Sequence, residues 1–418
     1  MTKSRMKIRD QIMNSNGVAG PAAAGMLRVR IGADRPAPAA QPSADLTGGW
    51  APLTWLGAPA PGGLALPPAN PTMAWMYSPR GVFLDEDYLV VADSGNHRVL
   101  IWHGVPERDE QPADVVLGQP DGTTEGRAAS GRGPERGMNL PTGVLVHDGH
   151  LIVADAWHHR ILIWNEVPRR SDMAPDLVLG QHGPSPVGPN RGAADQDAPC
   201  TADSLYWPFG IAVAGGRFLV ADTGNRRVLG WDGGLPDTDR PADLVLGQPD
   251  PRHREENRGR GVGADSFRWP HAIAGTDQLL LVADAGNHRV LGWQPHPDRD
   301  SDADLLLGQS DFDSADEWPY GPQSGDRFRF PYSVALDGGR LAVADTADNR
   351  ILLWDQVPLD GRPADHVLAQ PTFAANGENR WSSVQRDTLC WPYGISLHGD
   401  RLAVADSGNN RVLIWGRN

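Results

Sequence analysis

VADSGNHRVLIW, Val91–Trp102, returns five more times along the chain. The copies are VADAWHHRILIW from Val153, VADTGNRRVLGW from Val220, VADAGNHRVLGW from Val282, VADTADNRILLW from Val343 and VADSGNNRVLIW from Val404. Each reads as two short apolar strands around a polar turn. The first strand ends on Asp93, Asp155, Asp222, Asp284, Asp345 or Asp406. The second opens with Arg98, Arg160, Arg227, Arg289, Arg350 or Arg411 and reaches Trp102, Trp164, Trp231, Trp293, Trp354 or Trp415. Between them, a Gly-Asn pair such as Gly95-Asn96 tolerates positive φ and is expected to close the hairpin. An aspartate and an arginine in every copy read as ties within the hairpin, the carboxylate accepting turn N–H groups and the arginine crossing strands.

The same companions flank each copy. A Pro-x-Gly/Ala/Ser-Val/Ile run precedes it, at Pro79, Pro141, Pro208, Pro270, Pro331 and Pro392, at intervals of 61–67 residues. A run ending in Leu-Gly/Ala-Gln follows, at Gln119, Gln181, Gln248, Gln309 and Gln370. Four strands per repeat at a fixed period describe the blades of a propeller. The expected fold is therefore all-β, a six-bladed β-propeller of four-stranded blades. The sixth repeat ends at Asn418 without its last strand, while WAPLTWLGAP, Trp50–Pro59, looks like that strand detached. The N-terminal strand is expected to complete the last blade and leave no open edge. Long polar loops such as 120–140 and 249–269 separate the repeats. Strand alternation puts them on one face with the hairpin turns and the starts of the innermost strands. Loops of that length are often functional.

Residues 49–418 are expected to form the propeller and 1–48 an Ala/Pro/Gly-rich disordered tail with a basic start at Lys3, Arg5, Lys7 and Arg9. Net charge is −14 and pI about 5.3, which argues against nucleic-acid and anionic-membrane partners. No signal-peptide core and no run of apolar residues long enough to span a membrane stands out, so a cytoplasmic monomer is expected. Cys200 and Cys390 fall at non-equivalent points and set no disulfide framework or metal spacing.

The composite P-x-G-V … VADSGNHRVLIW … LGQP resembles the NHL repeat, six times over residues 79–415. The resemblance implies a six-bladed propeller. It implies functions from protein- or RNA-binding platforms to one enzyme class, the peptidyl-hydroxyglycine lyases. In those enzymes zinc is held by histidines just after the proline that opens an innermost strand. The matching residues here are Arg80, Thr142, Phe209, His271, Tyr332 and Tyr393. One histidine does not make a three-ligand zinc site, and neither a metal nor a cofactor is expected.

Those six positions vary inside a frame that otherwise repeats, the pattern of a specific site on a scaffold. They are the candidate ligand- or partner-binding residues at the mouth of the central channel. Trp157-His158-His159, which replaces the usual turn in the second repeat, is a candidate partner anchor. Trp207, Trp269 and Trp391, with Phe330 and Leu140 in the same slot, are expected to pack the loops down. Arg252, Arg254, Arg258, Arg260 and Arg268 are offset by Asp250, Glu255, Glu256 and Asp265, which is no nucleic-acid footprint. The expected function is a binding scaffold for a protein segment or small ligand at the long-loop face. The alternative is a metal-dependent lyase or lactonase-like enzyme using His271 with loop-borne His158 or His253. No catalytic residue is assigned.

Overall fold

The computed structural model describes residues 45–58, 70–193, 198–317 and 323–417. Six four-stranded antiparallel sheets stand in a ring. Five blades are continuous in sequence, at 81–117, 141–179, 208–246, 270–307 and 331–368. The sixth, from the axis outward, is Pro392–His398, Arg401–Asp406, Arg411–Arg417 and then Trp50–Gly57. Trp50 pairs with Arg417 and Gly57 with Arg411, so the closing strand lies within the stretch Trp50–Pro59, where the sequence places it.

The core lies between blades. Val90, Val99 and Leu117 of the first blade pack on Leu151, Val153 and Leu162 of the second. Leu56, Ala403 and Val412 of the sixth pack on Leu89 and Leu100 of the first. Each middle strand is thus covered on both faces, which is why its sequence is an unbroken apolar run. The repeated tryptophans are buried, and Trp102 Nε1 donates to the Gln111 carbonyl.

The hairpin differs from the sequence expectation. The turn is a single 3-10 turn, Ser94–Asn96 in the first blade, and Gly95 does not carry the positive φ. The left-handed residue is the next one: His97, His159, Arg226, His288, Asn349 and Asn410, with φ of 52–57°. Glycine is used for closeness. A Cβ at Gly95 would lie 2.5 Å from the Tyr77 carbonyl, which the Gly95 N–H meets at 2.9 Å.

The Asp–Arg pair also ties more than its own hairpin. Asp93 Oδ1 accepts the N–H of Tyr77, in the incoming loop, at 2.7 Å, and Oδ2 accepts from Arg98 Nε at 2.7 Å and Asn96 at 2.8 Å. Arg98 then donates to the carbonyls of Thr72 and Trp75 on the incoming loop and of Gly122 on the outgoing one. Arg160, Arg227, Arg289 and Arg350 repeat the arrangement. Gln119 completes it, donating to Asn96 and Gly126 carbonyls. The long loops are sewn down by one buried guanidinium per blade, and much of their length serves that purpose. Burial pushes the carboxyls of Asp93, Asp222 and Asp406 up despite their arginines. At Asp155 burial works upward too, but His158 and Arg160 outweigh it and the carboxyl ends below its usual value.

The ring closes tightly around the axis because the residue after each mouth position is small. A Cβ at Gly143 would lie 2.2 Å from the Phe209 carbonyl of the next blade, and one at Gly394 would lie 2.4 Å from that of Arg80. Residues 45–48, counted with the tail in the sequence, are seated on the propeller: Val367 N–H donates to the Leu46 carbonyl and Arg417 Nε to that of Gly48. The rest of that tail, 1–44, lies outside the described residues.

Candidate functional site

In five blades the innermost strand begins at the loop face with its proline, and in the first it begins at Gly81, just past Pro79 and Arg80; the residue after each proline lines the mouth of the axial channel. Arg80, Thr142, Phe209, His271, Tyr332 and Tyr393 all line one cavity there, of about 100 Å³. Their side chains form a circle. Phe209 meets His271 at 4.5 Å between ring centroids, His271 stacks on Tyr332 at 4.4 Å and 10°, and Tyr332 meets Tyr393 at 4.6 Å. The Arg80 guanidinium lies 5.1 Å from the Tyr393 ring centroid. Thr142 completes the circle, its hydroxyl donating to the Pro208 carbonyl at 3.1 Å. Below, Val82, Val144, Ile211, Ile273, Val334 and Ile395 make an apolar girdle shared with a second cavity of about 270 Å³ that reaches Asp85 and His398 at the other end.

The mouth holds its groups in defined protonation states. The Trp269 carbonyl, 3.2 Å from His271 Nδ1, can only accept, so that nitrogen carries the proton and Nε2 is left as an acceptor. Burial, with Arg80 adding to it, holds the His271 imidazolium pKa down at about 4 against the pull of the Trp269 carbonyl. Burial and the neighbouring Tyr393 raise the Tyr332 hydroxyl well above the usual phenol value. At neutral pH the imidazole is uncharged, the Tyr332 hydroxyl keeps its proton, and Arg80 is the one charged side chain among the lining residues.

Around the mouth runs a second tier that sequence reasoning read as loop packing. Leu140, Trp207, Phe330 and Trp391 have φ of 50–51°, a left-handed backbone that bulky residues rarely adopt. Each N–H is held by the preceding hairpin: Leu140 by His97 Nδ1, Trp207 by His159 Nδ1, Phe330 by His288 Nδ1 and Trp391 by Asn349 Oδ1. Ser78 fills the same slot with φ 49°. Trp207 packs on Trp157 at 5.4 Å, and Trp269 stacks on Phe330, which reaches Tyr332 at 6.3 Å. Trp157, Trp391 and Trp381 are 44%, 38% and 79% exposed. Trp381 follows an Asn-Arg pair that recurs at Asn190-Arg191 and Asn257-Arg258, but those copies have glycine in its place.

His158 and His159 are not surface groups. They are 5% and 7% exposed; His158 Nδ1 lies 2.9 Å from Asp155 Oδ2, in the place of the usual asparagine, and His159 holds Trp207. Of the candidate anchor, Trp157 is the part that faces outward. His253 is paired with Asp250 at 2.9 Å. Neither His158 nor His253 is among the residues lining the mouth, so the ligand set of the lyase-like alternative is not assembled around His271. Arg258 and Arg260 are paired with Asp265, and Arg268 with Glu256.

No protein-family model matches the sequence, and no curated protein matches it. Among solved structures, the chain is similar to a structural-genomics protein of unknown function from Bacteroides thetaiotaomicron VPI-5482. That match has a TM-score of 0.51 and 12% identity over 88% of this chain and 75% of that one. It is also similar to an auxiliary nutrient binding protein from the same organism, with a TM-score of 0.51 and 10% identity over 88% of this chain and 76% of that one. At such identities the likeness is one of fold: this chain is a six-bladed β-propeller closed by its N-terminal strand.

Proposed function

We propose that this propeller is an NHL-repeat binding scaffold that takes a protein segment or a small ligand on its long-loop face through Arg80, Thr142, Phe209, His271, Tyr332 and Tyr393. One observation carries the reading. Where the frame repeats its Asp, Arg, Gln and Trp from blade to blade, these six positions carry five different residue types, and all six line a single cavity. The backbone that presents them is fixed by the loop-holding arginines, so little ordering cost attends binding.

The test is a triple variant, Arg80→Ala with Tyr332→Ala and Tyr393→Ala, immobilised beside the unaltered protein and exposed to the same cell extract. The variant should lose whatever small molecule or protein the unaltered propeller retains, with an unchanged thermal transition. Equal retention by both removes the mouth as the site.

A further inference from the structure

The mouth is charged in one sense only. The chain carries 52 acidic residues against 38 lysines and arginines, yet the residues lining this cavity include one guanidinium and no carboxylate. Other arginines of the loop face have acidic partners: Arg258 and Arg260 with Asp265, Arg268 with Glu256, Arg329 with Glu317. The Arg80 side chain has no ion pair or hydrogen bond among the described residues, and its Nε is buried without a partner. A buried donor left unmade costs about 1–3 kcal/mol, more when charged.

The aromatic circle points the same way. At centroid separations of 4.4–4.6 Å, His271 and Tyr332 stack face to face, with Phe209 tilted by 47° against His271 and Tyr393 by 42° against Tyr332. Ring faces are the electronegative part of an aromatic group, and here the His271 and Tyr332 faces are engaged with each other and the Tyr393 ring with Arg80, so they are not offered to a cationic ligand. The Tyr332 hydroxyl, kept protonated, is hydrogen-bonded to Tyr393, which leaves the Tyr393 hydroxyl as the donor of the pair. His271, uncharged, neither repels nor neutralises Arg80. The space is small: an engineered apolar cavity of about 150 Å³ admits a benzene, and this one is about 100 Å³.

We propose that the channel mouth is a binding site for a small carboxylate, held by the Arg80 guanidinium and a tyrosine hydroxyl of the Tyr332–Tyr393 pair. The planar fork of arginine matches a carboxylate through two parallel hydrogen bonds. The proposal rests on the mouth being the binding site and adds the chemistry of what fills it.

Sodium acetate, benzylammonium chloride and sodium phosphate would each be titrated into the full chain at low ionic strength, with binding read by NMR line shifts or calorimetry. Acetate should bind saturably, phosphate more weakly, and benzylammonium not at all. Arg80→Gln should weaken acetate at least tenfold, while Arg80→Lys, which keeps the charge, should retain part of it; Arg268→Gln should change nothing. Acetate that fails to saturate by about 50 mM, a range far weaker than specific sites show, would overturn the proposal. So would equal affinity in the Arg80→Gln protein, or phosphate or benzylammonium binding as tightly as acetate. If acetate fails while the triple variant still loses a retained partner, the mouth stands as the site and its carboxylate chemistry falls.

Discussion

Asp348 occupies a position where four other blades carry an asparagine that donates to the frame aspartate, as Asn96 does to Asp93 at 2.8 Å. Here two carboxyls, Asp345 and Asp348, are buried side by side with Arg350 between them and Arg329 near. Burial and the charge of Asp345 push the Asp348 carboxyl up to about 8. A folded pKa raised above the unfolded one contributes stability that is complete below about 3.8 and is lost as pH rises through about 8. Asp348→Asn removes that loss and restores the donor. It should stabilise the protein by about 1–2 kcal/mol at pH 8 and much less at pH 4, read as urea midpoints at the two pH values. An equal effect at both would mean that Asp348 is not protonated in the fold. What the sequence conceals at this scale is backbone sign. Gly95 looks like the left-handed residue and is not; His97 is, and its Nδ1 is needed to hold Leu140. Residue type alone does not separate a glycine chosen for torsion from one chosen for contact, because both uses ask for the same missing Cβ.

At the scale of the blade, the arginines are the joint between strands and loops. Arg227 holds Asp222 and donates to the carbonyls of Pro251, Thr201 and Ser204. Arg227→Ala would strand a fully buried carboxylate and three carbonyls. It should cost about 3–5 kcal/mol and loosen both neighbouring loops, seen as faster amide exchange at Ser204 and along 251–260. A surface-pair cost below about 1 kcal/mol would contradict the joint. The strands were legible because a period of about sixty residues fixes them six times over. The mouth circle was legible too, since a proline marks where each innermost strand begins and the next residue has to face the axis. The rim was not: Leu140, Trp207, Phe330 and Trp391 read as apolar residues beside a proline. Only the backbone shows that they are held outward at φ near 50° by the blade before.

For the whole molecule, closure decides stability. Trp50–Gly57 supplies the outer edge of the sixth blade, and Arg386 clamps it. That side chain pairs with Asp109, donates to the Leu53 carbonyl at 2.7 Å and lies 4.2 Å over the Trp55 ring, joining the first blade, the closing strand and the loop before the sixth. Asp109 in turn accepts the Trp55 N–H. Arg386→Ala should lower the thermal transition by a few degrees, from a loss of about 1 kcal/mol given the partial exposure of the pair. A chain lacking 1–57 should go further and self-associate through the bared edge of Arg411–Arg417, detected by light scattering. A monodisperse truncated protein would show that the ring does not depend on its borrowed strand.

The borrowed strand also sets a timetable. Gly48 and Arg417 meet across 369 residues of sequence. At about 5–20 residues per second of synthesis, the opening strand leaves the ribosome roughly 20–70 s before its partner exists. During that interval five blades can assemble while an apolar ribbon waits unpaired at the nascent end. A window of that length exposes the unpaired ribbon to misassembly before the ring can close.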